Sequence, residues 1–179
     1  MSAGQGLDVH AMGTKILAAV VAHFAASTNP NDVDLPARRY VGAGDPLAVA
    51  WDCEQLTITM QGVTTGAAVD ARPLSPRSGT PAGVSLVRSV TYVVSLVRCH
   101  PVQDDSGNPP PVAALEAAGV VFARDMGLLS QALVELVSQL RENLPVGQTV
   151  QAGEVAPVGP DGQFVALVAP IAFTVGALV

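Results

Sequence analysis

Few residues in this chain have types and spacings that could do chemistry. His100, Asp104 and Asp105 fall together in one breaker segment, where carboxylates beside an imidazole could hold a hard cation. The run Asp104-Asp105-Ser106-Gly107-Asn108 has no EF-hand spacing, however, and its composition is that of an ordinary turn. Asp52 and Glu54 flank Cys53. Carboxylates two apart on a strand share a face, which is the arrangement of an acid pair. No facing base or pocket is evident, and a solvated or interface face is the simpler expectation. His10 and His23 lie 13 residues apart, roughly 140° around a helix, and so do not share a site unaided. Gly13-Thr14-Lys15 resembles the end of a phosphate loop, but Asp8 stands where that loop needs its first glycine. Gly42-Ala43-Gly44 lacks the third glycine and the following helix of a dinucleotide fingerprint. No serine sits in a Gly-x-Ser-x-Gly elbow, and no CxxC or HExxH occurs. The expectation is a protein without catalytic, metal or cofactor residues, not an enzyme.

The elements that would position these residues follow from hydrophobic period. Leu7 to Ser27 reads as a helix, with Leu7, Ala11, Ile16, Val20 and Phe24 near one stripe, and Pro30 beyond its end. Arg38 to Val41 reads as a short strand. Leu47 to Val63 reads as a long strand with a change of phase. Trp51 and Cys53 share one parity, whereas Leu56, Ile58 and Met60 share the other, which predicts a bulge or bend near Glu54-Gln55. Thr64 to Gly83 is rich in Pro, Gly, Ser and Thr and reads as a projecting arm.

Val84 to Cys99 alternates cleanly and reads as a central strand. Residues 100–111 form a Pro-rich loop. Val112 to Asn143 reads as a helix about 48 Å long at 1.5 Å per residue. Its core stripe is Leu115, Phe122, Met126, Leu129, Leu133, Leu136 and Leu140, and Gly119 and Gly127 mark a kink or close backbone packing. Gln148 to Val158 and Gln163 to Val175 read as a hairpin closed by Gly159-Pro160-Asp161-Gly162. The last strand, apolar on both parities, reads as buried in the sheet.

These elements predict one α+β domain over residues 1–179, with residues 1–6 as a flexible N-terminus. It has one mixed, mainly antiparallel sheet of about four or five strands, packed by an N-terminal helix and one long helix, with a loop arm projecting.

Composition narrows the function. Of 179 residues, 49% are hydrophobic and only 4% aromatic, so the core is built from small aliphatic side chains. Charged residues are 13%, about half the usual share. A surface so poor in charge is expected to be covered by copies of the chain or by partners. Net charge is −6, and the cations are Lys15 and eight scattered arginines, so no basic patch exists to grip DNA. The N-terminus has no basic start before its apolar stretch, and Ile16 to Ala26 is short for a bilayer and interrupted by His23. A soluble chain is expected. Cys53 and Cys99 read as buried free thiols, although a disulfide between neighbouring strands is compatible with their positions.

The strand Val49-Ala50-Trp51-Asp52-Cys53-Glu54-Gln55-Leu56 and the strand Arg88-Ser89-Val90-Thr91-Tyr92-Val93-Val94-Ser95-Leu96-Val97-Arg98-Cys99, with the Pro-rich loop and long helix that follow, resemble the tail terminator proteins of actinobacterial long-tailed phages. The resemblance covers roughly residues 7–176 and lies in element order and local wording. It implies a structural virion protein of the tail and neck, assembled in the host cytoplasm. Such proteins form a hexameric ring that caps the tail tube, ends tube polymerisation and joins the tail to the head connector. The implied partners are copies of the chain, the tail tube protein and the connector or head-completion protein. DNA passes through the lumen without specific binding, and no membrane is involved. Head-completion proteins of the neck share the plan and are the alternative, ahead of a small binding module or enzyme. The family has no short invariant motif, so no residue role transfers singly. The interface candidates are Trp51, Asp52 and Glu54 on the bent strand, Arg72 and Arg77 in the arm, and Asp104 and Asp105 in the Pro-rich loop.

Overall fold

The computed structural model describes residues 8–27, 35–44, 54–68, 85–144 and 148–175. The first helix, α1 (Val9–Ala26), starts where Asp8 turns its carboxylate back to accept the Ala11 N–H at 2.9 Å. Its buried residues are Gly13, Ile16, Val20 and Phe24, one stripe at helical spacing. Gly13 lies at the point of closest approach to the sheet. A Cβ there would stand 2.6 Å from Val41 Cγ1, so the missing side chain sets how near α1 can lie. By length and composition α1 is apolar enough to cross a membrane, yet here its stripe is spent on the core.

The strands are β1 (Arg38–Ala43), β2 (Gln55–Ala68), β3 (Ser85–Cys99), β4 (Gln148–Ala152), β5 (Ala156–Asp161) and β6 (Phe164–Val175). They form one mixed sheet in the order β1-β2-β3-β6-β4, with β5 also on β6. Among the described residues only β1 and β2 run parallel, and the other pairs are antiparallel. With two helices on this sheet the chain is α+β, as the periodicity predicts.

Three strand expectations need correction. Among the described residues the sheet has six strands rather than four or five, because the expected strand over 148–158 is divided. β4 pairs with the end of β6 (Gln148↔Val175 to Ala152↔Ile171), and β5 pairs with its start (Ala156↔Val168 to Asp161↔Phe164). The gap faces Pro170, which has no N–H to offer an edge partner. There Gly153 leaves the ladder and donates its N–H to Pro170 O at 2.8 Å. A Cβ on Gly153 would come within 2.6 Å of the Pro170 ring.

The bend expected near Glu54-Gln55 has one local source, and a separate bulge follows inside β2. Glu54 adopts the left-handed region at φ 72°, immediately ahead of the strand. Farther on, the β2–β3 register slips between Met60 and Gly62, leaving Gln61 as the extra residue of a bulge. Leu47–Cys53 lie outside the described residues. Finally, β2 and β3 continue to Ala68 and back from Ser85, so the first residues assigned to the arm are strand.

The core lies between the sheet and the two helices. Leu56, Ile58, Val90, Tyr92, Val94 and Leu96 meet Leu167, Ala169, Ile171 and Phe173 under α1 and the long helix α2 (Val112–Asn143). Tyr92 packs edge-on against Phe173, ring centroids 5.8 Å apart.

In α2 the buried residues run from Asp125 to Val137. Phe122, Met126 and Leu140 are partly buried, but Leu115, placed in the core stripe by its spacing, is 38% exposed. None of residues 112–124 is buried. Gly119 and Gly127 do not allow close packing within the protomer: a Cβ at either would meet nothing within 4 Å.

Candidate functional site

Four of the seven interface candidates, Trp51, Asp52, Arg72 and Arg77, lie outside the described residues, and so does the arm from 69 to 83. The other three are described. Glu54 is 45% exposed at its side chain. It pairs with the Arg98 guanidinium, and its Oε1 accepts the Cys99 N–H at 3.3 Å.

Asp104 spends its carboxylate on its own loop. Oδ1 accepts from the N–H groups of Ser106 and Asn108, and Oδ2 from the Asn108 amide, all at 2.9 Å. The Asn108 amide is the main reason its carboxyl is held below the usual range. Asp105 is exposed beside it. His100 turns the other way, with Nδ1 2.9 Å from Pro101 O and its backbone N–H on Gln163 O. The structure therefore does not bring His100, Asp104 and Asp105 together as ligands, and among the described residues no three His, Cys, Asp or Glu side chains could hold a metal. Cys99 differs from its expectation in both respects: it is exposed, and it is disulfide-bonded. Cys53 lies outside the described residues.

A tie missed in the sequence sits at the end of β3. Arg98 and Asp125 are almost fully buried, and Arg98 Nε donates to Asp125 Oδ2 at 2.7 Å while its NH2 donates to Oδ1 at 3.2 Å. A third bond runs from Arg98 to Glu54. Burial disfavours the Arg98 charge, but its bonds to Asp125 and Glu54 more than offset this and hold it above its ordinary value. Burial pushes the Asp125 carboxyl up, against the pull of Arg98. One guanidinium thus joins β3, α2 and the residue that leads into β2. The signal was present: Asp125 stands four before Leu129 and three after Phe122, on the apolar stripe of α2.

Two further features face outward or away from the helices. Between α1 and α2 runs an open groove of about 540 Å³, lined by Ala19, Ala22, His23, Gln131, Glu135 and Gln139 among others. His23 Nδ1 lies 3.0 Å from Glu135 Oε2 across it. On the opposite face of the sheet, the register places Tyr40, Thr57 and Ser95 side by side on β1, β2 and β3, with Gln55 one step along. The Tyr40 and Thr57 hydroxyls, the Ser95 hydroxyl and both polar atoms of the Gln55 amide are buried without a hydrogen-bond partner.

Large apolar side chains stand exposed on the described surface of α2. Val112 is 70% exposed, Val120 62% and Val134 68%, all on α2. No protein-family model matches the chain, and no curated protein matches it.

Proposed function

We propose that this chain is a structural virion protein whose copies form a ring on the end of a phage tail tube, ending tube polymerisation and presenting the docking face for the head connector. The observation that carries this reading is the uncovered amino-terminal part of α2. Val112, Leu115 and Val120 stand in water on a chain with only 13% charged residues. Exposed aliphatic side chains along a stretch of helix whose one charge is Glu116 are what an assembly subunit buries against its neighbour. The wording of residues 49–56 and 88–99, and the order helix, strands, Pro-rich loop, long helix, support the same reading through their resemblance to tail terminators. A net charge of −6 suits a lumen through which DNA slides without adhering.

Electron microscopy of the purified protein, alone and mixed with tail tubes, tests the reading. The expected images are annuli with an open lumen, and tubes closed by one such annulus at a single end. Separate small particles that never decorate a tube end would overturn it. The neck head-completion alternative predicts the same annuli seated on the head connector instead. A second reading, a small binding module, is favoured by one observation, the groove carrying His23 and Glu135. It predicts a monomer whose ligand is lost on His23→Ala.

A further inference from the structure

The end of β3 carries an exposed sulfur that is already committed. Cys99 stands at the surface and is disulfide-bonded. Its N–H donates to Glu54 Oε1 at 3.3 Å, and its neighbour Arg98 is bonded to the same carboxylate. One residue after Glu54, β2 begins with Gln55 paired to Val97. The chain entering β2 and the chain leaving β3 therefore run side by side at this corner. The sequence holds two cysteines, and the other, Cys53, is the residue that precedes Glu54.

We infer that Cys99 is bonded to Cys53, and that the bond is a redox-sensitive clasp, shut and opened by exchange with small disulfides and thiols in solution. A bond within the chain has no other sulfur to use. The register agrees. The antiparallel pairing Gln55↔Val97, carried two places on, sets position 53 against position 99. Opposed positions in such a ladder stand about 4.5–5.5 Å apart at Cα, within the span that a disulfide takes. Exposure makes the bond reachable, because exchange requires a thiolate to approach one of its sulfurs. In closing, one protein thiolate attacks a small disulfide, whose S–S bond breaks and releases one small thiol. The second protein thiolate then displaces the other small thiol from the mixed disulfide. Two protein thiols are oxidised, and one small disulfide is reduced to two thiols. The corner that the clasp holds is otherwise weakly tied. Glu54 is 45% exposed, so its pairing with Arg98 is open to water and salt, and its backbone lies in the left-handed region at φ 72°. In a reducing cytoplasm the clasp is open, and in an oxidising medium it is shut. This inference is independent of the ring reading.

The test uses the full chain and reads its thiols by alkylation and mass spectrometry. Cells making the protein are quenched with iodoacetamide before lysis. Purified protein is treated with oxidised or reduced glutathione, without denaturant, and then alkylated. Both cysteines should be alkylated in the quenched cells and after reduced glutathione. Neither should be after oxidised glutathione, and the peptides carrying Cys53 and Cys99 should then be linked. Circular dichroism should show the reduced form still folded. In urea its unfolded fraction should rise on the order of a hundredfold over the oxidised form, as expected for opening a loop of about 45 residues. Cys99→Ser should match the reduced form in either medium. Thiols that stay free after oxidised glutathione would overturn the bond, and a link between two chains through Cys99 would overturn the pairing. A bond already shut in the quenched cells, or one that yields to reduced glutathione only after urea is added, would overturn the switch. Identical urea curves for the two forms would show that the bond clasps nothing. None of these results bears on whether copies of the chain form a ring.

Discussion

Arg98 and Asp125 meet through two hydrogen bonds in the interior, Nε to Oδ2 at 2.7 Å and NH2 to Oδ1 at 3.2 Å, and so fasten the middle of α2 to the end of β3. Breaking a buried pair from one side leaves the other charge without compensation, at a cost of about 3–5 kcal/mol. Asp125→Ala leaves Arg98 still bonded to Glu54, so a loss at the low end of that range, about 3 kcal/mol, is expected in urea unfolding. Arg98→Met with Asp125→Leu should recover most of it, because neither charge is then stranded. A loss below about 1 kcal/mol for Asp125→Ala would show that the tie holds nothing together.

Tyr92 makes a second tie, its hydroxyl donating to Val9 O at 2.6 Å from a fully buried ring. Burial, helped by the Asp8 carboxylate, pushes the phenol up to about 12 from 10.0. A raised value means that the native state holds its proton more tightly than the unfolded chain does. The contribution of Tyr92 is thus complete below pH 10 and is lost between 10 and about 12, with a slope of at most about 1.4 kcal/mol per pH unit. Tyr92→Phe should flatten this part of the stability–pH curve, while costing about 1 kcal/mol at neutral pH. Parallel curves for the two proteins above pH 10 would contradict the assignment.

Thr57 and Ser95 face each other across β2 and β3 with hydroxyls that bond to nothing. A buried unsatisfied hydroxyl costs about 1–3 kcal/mol. Thr57→Val keeps the shape and removes the polar atom, so it should raise the unfolding midpoint. A fall of 1 kcal/mol or more would instead mean that ordered water bridges the row.

At Gly127 a Cβ would meet open space, and an interior helical glycine costs about 1 kcal/mol relative to Ala. Gly127→Ala should therefore stabilise the isolated protomer by about 0.5–1 kcal/mol. Chemical denaturation measures this, and a decrease would show that the backbone at Gly127 is not free to carry a side chain.

Much of the fold was legible because it follows from period. The 3.6-residue spacing of Ile16, Val20 and Phe24, and of Leu129, Leu133 and Leu136, placed both helices against the sheet, and the alternation of Val90, Tyr92, Val94 and Leu96 placed β3 at its centre. The split between β4 and β5 was not legible, because its cause, Pro170, sits on a different strand and acts only once β6 has paired. Leu115 fell on the apolar stripe but lies beyond the part of α2 that the sheet supports, and spacing alone carries no information on where support ends. The Arg98–Asp125 tie joins residues 27 apart, so each looked like an isolated charge. The disulfide at Cys99 depends on which sulfur the fold brings beside it, and spacing along the chain does not give that.

The central claim is that copies of this chain tile. Light scattering of the wild-type protein over a wide range of concentration measures that directly. The prediction is a single mass equal to a small whole multiple of 18.2 kDa, unchanged as concentration rises further, as a closed ring requires. A mass of one protomer at every concentration, with Val112, Val120 and Val134 left in water, would contradict it.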